Sequence, residues 1–498
     1  MMSLLSCRPS LDPSRRGDRW QTVFSVLVFL EFTSLLVALL IPQRAADLHN
    51  TYGQFLIAML AGALFSHTGL PRERELRIYL AFLLWLLISR WLNRDFYLFA
   101  DHSLFPNHLL VYLLLAVCLQ LNSEQRQRLL LAVTVVFAGF FVLFSILSLF
   151  VALTGTYIRI PPENVWIRLL PSTTFRPLDP LATHRLLMAA LLYLAWSLLV
   201  YQMLRIRKKV WLLPLALGLL ILHMTLTLCY SRTIQICFSL SCAMLMFLFL
   251  YRRKIRGVKR VLVLVLIPLL CVPVVYKSFD VFGSLLGVLR SEIAPRFEES
   301  YQSRSPLDPK LFGLESMLEK AVAEPAAKPA AEPATGADVF QDSRSISSNA
   351  TLSGRTDIWL STIPSVREQP SILLYGQPEK QIMLLPNKYF HRPQFETHMH
   401  NSLLQCFMLS GLPGLLLAFI WYVLLLIRLV RTFFSGPGTP FATAFLTIPL
   451  SGILLYSMME AIMFSNVALA GYTFFLLAGF FIAETQASVE APAAPDAI

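Results

Sequence analysis

Long apolar runs, separated by short basic or polar breaks, organise the chain. A bilayer core of about 30 Å takes roughly 20 apolar residues as a helix. Twelve stretches approach that length: 22–41, 52–70, 76–92, 107–121, 129–153, 182–203, 210–229, 233–251, 260–276, 402–427, 441–459 and 465–483. The runs at 76–92 and 107–121 are short. The pattern predicts an all-α, polytopic membrane protein of about twelve transmembrane helices. It also divides the chain. Residues 1–21 form a basic N-terminal segment, 22–276 hold helices one to nine, 277–401 a large loop, 402–483 helices ten to twelve, and 484–498 a tail.

Within the loop, 277–320 is mixed and is expected to form short helices. Residues 321–350 are Pro/Ala-rich, and the run from Glu324 to Thr335 reads EPAAKPAAEPAT, a composition suited to a linker rather than a core. Residues 350–401 read as ordered again. The Ala/Pro tail is expected to be disordered. The first apolar run follows Arg8, Arg15, Arg16 and Arg19, as in a secretion signal. It is too long for a signal core and lacks a small-residue cleavage site, so it reads as a retained anchor.

Composition sharpens this picture. The chain is 56% hydrophobic and 14% charged, with mean hydropathy +0.61. Soluble domains carry about a quarter charged residues, so a soluble enzyme is excluded. The net charge of +12 reads as an orientation signal rather than a nucleic-acid surface. With the N-terminus in the cytoplasm, cytoplasmic segments hold 21 Lys and Arg against 7 in the short outer loops. Both termini are then cytoplasmic, and the 277–401 loop is periplasmic. Of seven cysteines, six lie in apolar runs and none shows CxxC spacing. They predict neither a disulfide framework nor a zinc site.

Ionisable residues at membrane depth point to function. Arg232 lies in Tyr230-Ser231-Arg232-Thr233, between two apolar runs with almost no loop, so it sits in the outer turn or the first turn of the eighth helix. A snorkelling arginine is the plain alternative. Arg355 lies in Ser353-Gly354-Arg355-Thr356-Asp357-Ile358-Trp359, which reads as a short amphipathic helix. Ser353 is expected to cap it, with Ile358 and Trp359 resting on the membrane surface. An ordinary solvated arginine is the alternative there. His398-Met399-His400-Asn401 stands where the loop enters the tenth helix. The alternatives for His400 are a helix cap or a base at the water–lipid boundary. Two His at spacing two raise the question of a metal. Only Glu396 is near in sequence and no D-x-D occurs, so no metal is assigned.

Gly411 and Gly414 lie deeper in that helix, Gly411 about 16 Å below His400 at 1.5 Å per residue. Small residues allow close packing, and Pro413 is expected to kink the helix. Glu460, at the outer end of the eleventh helix, is an isolated charge that could pair with one of the arginines. Two Arg and one His on the outer side suit a lipid-linked phosphate substrate. Guanidinium holds phosphate oxygens bidentately at any working pH. Two of them can neutralise a departing pyrophosphate without metal, while the His takes a proton from an attacking hydroxyl.

At these residues the sequence resembles the O-antigen ligase and O-antigen polymerase superfamily. Ser231-Arg232 is similar to its Ser-Arg at an outer helix end. Gly354-Arg355 with Trp359 resembles its G-R-x-x-x-W, and His400-Asn401, nine residues, then Gly411-Leu412-Pro413-Gly414 resembles the ligase pattern. Leu415-Leu416 departs from the Thr-Val frequent there. The resemblance covers roughly residues 180–480. It implies a GT-C-like helical enzyme of a Gram-negative inner membrane with its active site facing the periplasm. The donor it implies is a glycan on undecaprenyl pyrophosphate; the acceptor is a sugar hydroxyl of lipid A–core. It implies that His400 is the base and that Arg232 and Arg355 hold the donor pyrophosphate. Ser231, Gly354, Asn401, Glu460 and His398 are candidates for support, with no cofactor, metal or ATP. Three readings stay open. They are ligase, a polymerase or protein O-oligosaccharyltransferase sharing the donor, and a lipid-linked sugar transporter.

Overall fold

The computed structural model describes residues 16–40, 59–61, 73–94, 104–154, 185–206, 209–229, 231–252, 258–302, 350–378, 381–389, 398–435, 439–464 and 469–490. The regular elements among these residues are helices. Lipid offers no partner to backbone N–H and C=O groups, so a continuous apolar run satisfies them within itself as a helix.

The helices are α1 (Arg16–Leu40), α2 (Arg74–Leu92), α3 (Leu104–Gln120), α4 (Ser123–Thr154), α5 (Arg185–Arg205), α6 (Leu212–Leu228), α7 (Arg232–Arg252) and α8 (Val258–Gln302). The loop contributes α9 (Ala350–Leu360), α10 (Thr362–Glu368), α11 (Ile372–Tyr375) and α12 (Leu384–Tyr389). The chain then runs through α13 (Ser402–Phe433), α14 (Phe441–Ser457) and α15 (Leu469–Glu490). Among the described residues seven helices are long and apolar enough to cross a bilayer, and three shorter apolar helices, within α1, α3 and α14, accompany them. The chain is a multi-pass membrane protein. The expected run at 52–70 lies outside the described residues except for 59–61.

Two expectations about the loop change. The apolar run at 260–276 does not end at the loop: α8 continues unbroken to Gln302, 45 residues in all, or about 67 Å at 1.5 Å per residue. Where short helices were expected in 277–320, one helix fills the part that is described. The linker 321–350 lies outside the described residues but for Ala350.

Two groups of helices meet along α14. On one side α2 lies against α13 and α3 against α15; on the other, α7 lies against α8 and α5 against α6. An aromatic cluster closes the first group. Trp421 of α13 meets Tyr79 of α2 and Phe475 of α15 at ring-centroid distances of 5.8 and 5.4 Å. Among the described residues no cysteine forms a disulfide.

The bundle has two distinct ends. At one, Gln21 Nε2 donates to Gln120 O, Arg126 pairs with Glu484, Arg205 with Gln127, and Arg428 with Glu73 and Glu75. At the other, Asn93 meets Tyr375, Asn401 meets Met458, and Arg355 meets Glu460. Basic residues expected on the cytoplasmic side (Arg126, Arg205 and Arg428) thus share one end. Arg355 and His400 share the other.

The long helix α13 breaks where it meets the loop. Gly411 has φ 71° and ψ −171°, a conformation essentially confined to glycine. The carbonyls freed by the break find other donors. Gln377 N–H donates to Met408 O at 2.7 Å, Trp85 Nε1 to Ser410 O at 2.7 Å, and Ser89 Oγ lies 3.3 Å from Leu409 O. Gly376 answers from the loop with φ 73°. A Cβ at Gly376 would lie 2.4 Å from the Leu409 carbonyl carbon, and one at Gly411 2.5 Å from that of Leu374. Two glycines therefore let two backbones touch. The break lies at Gly411 rather than at Pro413. Pro413 falls in the first turn of the second half, where its missing N–H costs nothing.

Candidate functional site

Glu460 is the hub of the site. It follows α14 and is buried. Its two oxygens face different partners: Oε1 accepts from Arg355 Nη2, and Oε2 lies 3.2 Å from His400 Nδ1 and 3.9 Å from His398 Nε2. The two imidazole rings lie 4.0 Å apart, tilted by 44°. Burial pushes the Glu460 carboxyl up, but its bonds with His398 and His400 and the charge of Arg355 outweigh this and hold it at about 2. Glu460 is therefore a carboxylate across the working pH range and only accepts hydrogen bonds. A neutral His400 that keeps this contact carries its proton on Nδ1 and its lone pair on Nε2.

Local structure fixes each member. Asn401, not a histidine, caps α13: its Oδ1 accepts from Leu404 N at 3.0 Å while its Nδ2 donates to Met458 O at 2.8 Å. His400 just before it takes φ 49°, the left-handed region, unusual for a side-chain-bearing residue. That conformation turns the chain back across the end of α13. Ser402 ties the other side: its Oγ donates to Glu460 O at 2.9 Å and accepts from Ile462 N at 3.1 Å. The stretch 460–463 is thereby stitched to the first turn of α13.

Arg355 reaches Glu460 from α9. That helix begins at Ala350, so Ser353 lies inside it and is not the cap the sequence led us to expect. Ile358 is buried, and Trp359 Nε1 donates to Met399 O at 3.0 Å. They pin α9 to the His398–His400 segment, because an indole N–H left in an apolar surrounding needs an acceptor. Gly354 lies in α9 just before Arg355.

Arg232 is the first residue of α7 and is exposed. It makes no hydrogen bond or ion pair among the described residues, so the expected trio of Arg232, Arg355 and His400 is only partly drawn together. Ser231 before it is buried; its Oγ accepts from Ile234 N at 3.5 Å, and it lies beside Tyr456 of α14. Tyr456 is in turn within electrostatic reach of Glu460 and Arg355. Tyr230 lies outside the described residues.

Sequence reasoning missed the centrality of Glu460, which stands 60 residues from His400. The available signal was a lone acid directly after an apolar helix. It also missed Ser402 and Tyr456, which look like ordinary polar members of apolar helices. The metal question was settled too early: the third donor beside His398 and His400 is Glu460, which folding brings in. Glu31, midway along α1, escaped notice altogether. It is fully buried and its carboxylate oxygens have no hydrogen-bond partner among the described residues.

The O-antigen ligase family model matches residues 217–419. That stretch holds Arg232, Arg355, His400 and the Gly411 break, while Glu460 falls beyond it. Enzymes of this family are glycosyltransferase-like, and the match supports activity of the ligase or polymerase type. No curated protein matches the chain.

Proposed function

We propose that this protein is an O-antigen ligase-like glycosyltransferase. It moves a glycan from undecaprenyl pyrophosphate to a sugar hydroxyl of lipid A–core at the periplasmic face of the inner membrane, both chain termini being cytoplasmic. The observation that carries the reading is the chain Arg355–Glu460–His400, which sets a guanidinium and an oriented imidazole side by side at one end of the bundle.

The acceptor hydroxyl gives its proton to His400 Nε2 as its oxygen forms a bond to the anomeric carbon of the donor sugar. The bond from that carbon to the pyrophosphate oxygen breaks, and its electrons leave with undecaprenyl pyrophosphate. Glu460 stabilises the imidazolium that forms and holds Nδ1–H in place. Arg355 spends one N–H on Glu460 and has others for phosphate oxygens. Arg232, exposed at the same end, supplies the second guanidinium. Charge neutralisation then comes from the two arginines, with no part for ATP or a metal.

A polymerase or protein O-oligosaccharyltransferase would share this donor chemistry and differ in acceptor. Transport is the reading from another class, and buried Glu31 is the observation that favours it, since transporters carry ionisable groups at mid-membrane. The lipopolysaccharide ladder of a strain deleted for the gene, run beside complemented cells, separates them. Bare lipid A–core with glycan accumulating on the carrier marks a ligase. Core with a single repeat unit marks a polymerase. An unchanged ladder overturns both.

A further inference from the structure

We infer that His398, His400 and Glu460 form a reversible inhibitory site for a borderline-soft divalent cation, Zn2+ being the best fit. The donor atoms of the three residues lie within 4.8 Å of one another. Glu460 Oε2 is already 3.2 Å from His400 Nδ1 and 3.9 Å from His398 Nε2. A tetrahedral zinc ion with bonds of about 2.0–2.2 Å needs neighbouring donors roughly 3.3–3.5 Å apart. Small side-chain rotations close that gap. Two imidazoles and one carboxylate oxygen select zinc over Mg2+ or Ca2+, which take mainly oxygen. Glu460 can keep Arg355 on Oε1 and offer Oε2 to the ion. Water completes the fourth position. The guanidinium beside the ion repels it, so the site suits an exchangeable inhibitor rather than a resident cofactor.

Occupancy blocks transfer through the tautomer. The ion takes the lone pair of His400 Nδ1, the proton that stood there moves to Nε2, and Nε2 can no longer accept one from a hydroxyl. This part rests on His400 acting through Nε2; the binding itself does not.

The test uses the full-length protein in detergent. Zinc binding is read by competition with a chromophoric chelator, with Mg2+ as control. Transfer is read in parallel with and without zinc. Wild type is expected to bind zinc and not Mg2+, to lose transfer when loaded, and to regain it with EDTA. His398→Ala and His398→Gln leave His400, Glu460 and both arginines in place. In each variant zinc binding, and inhibition measured against that variant's own zinc-free transfer, are expected to weaken about ten-fold or more. Unchanged zinc affinity in both His398 variants overturns the site. Zinc bound at this site with transfer intact overturns the blockade, as does an EDTA-treated enzyme that needs zinc to work. Retained transfer in His400→Ala would remove the base reading alone, because binding is measured without turnover.

Discussion

Two half-buried arginine–glutamate clusters close the two ends of the bundle, and they are built differently. At the basic end, Arg428 is saturated. Its Nε donates to Glu75 at 2.7 Å, Nη2 to Glu73 at 3.0 Å and Glu75 at 3.2 Å, and Nη1 to Ile482 O at 3.3 Å and Thr485 Oγ1 at 3.2 Å. At the other end Arg355, half-buried like Arg428, makes one bond among the described residues, to Glu460. A guanidinium carries five N–H donors. Arg428 has used its complement on α2 and α15 and acts as a strut. Arg355 keeps donors in hand, and its carboxylate partner is shared with an imidazole. Saturation, rather than burial or charge, separates a structural arginine from one available to a substrate.

The sharpest way to break this contrast is to remove the group that distinguishes the two clusters. His400→Ala should lower transfer by about 10²–10⁴-fold, the usual worth of a positioned base, while binding of the undecaprenyl-linked donor persists. Near-normal turnover at normal expression would leave the second cluster as merely another strut. Next come the arginines themselves. Arg355→Lys and Arg232→Lys keep charge but lose the planar fork, and transfer should fall by about 10²-fold or more with normal amounts of folded protein. Arg428→Lys should do the reverse, reducing thermal stability in detergent by about 1–3 kcal/mol through unpaired carboxylates while transfer per folded molecule holds. If Arg355→Lys and Arg428→Lys behave alike, donor saturation is the wrong criterion.

How much of this was legible in the sequence follows from the range of each contact. The helices were legible, because a run of apolar residues carries its own backbone solution. The motif residues Arg355 and His400 were legible as chemistry. Their meeting point was not, since Glu460 lies 105 residues from one and 60 from the other. Trp359 read as a membrane anchor because an amphipathic ring fits that role, and its bond to the Met399 carbonyl could not be read from the sequence. The helix break was assigned to Pro413, the strongest local breaker, although the conformation that only glycine takes easily belongs to Gly411. The extension of α8 past 276 was hidden because its sequence turns polar while it stays helical.

A smaller effect is expected for Glu460→Gln, which keeps the shape and removes the charge. Loss of an orienting partner typically costs 10–100-fold, and transfer should fall within about that range, less than for His400→Ala. The sign with pH is fixed by the direction of the shift. The Glu460 carboxyl is held below its ordinary value, at about 2. Its contribution to stability is therefore complete above about pH 4.5 and is lost as the pH falls toward 2. Loss of transfer on acidifying from pH 8 to 5 does not come from this group. An acid-induced loss of folding in that interval that is missing from Glu460→Gln would contradict the assignment.

The smallest effect tests whether the loop and α13 move as one piece. Trp359→Phe removes the N–H that reaches Met399 O, together with part of the ring. That carbonyl loses one neutral hydrogen bond, worth about 1 kcal/mol, and transfer should fall only a few-fold. Gly376→Ala attacks the same joint elsewhere, forcing a Cβ to within 2.4 Å of the Leu409 carbonyl carbon at φ 73°. Strain of about 1–3 kcal/mol should appear as lower thermal stability in detergent. If the loop and α13 are one body, both variants loosen Arg355 and His400 together, and the double variant loses more than the sum of the two. Simple additivity would mean that the Trp359 and Gly376 contacts hold the loop independently, and that the Arg355–Glu460–His400 chain alone sets the geometry of the site.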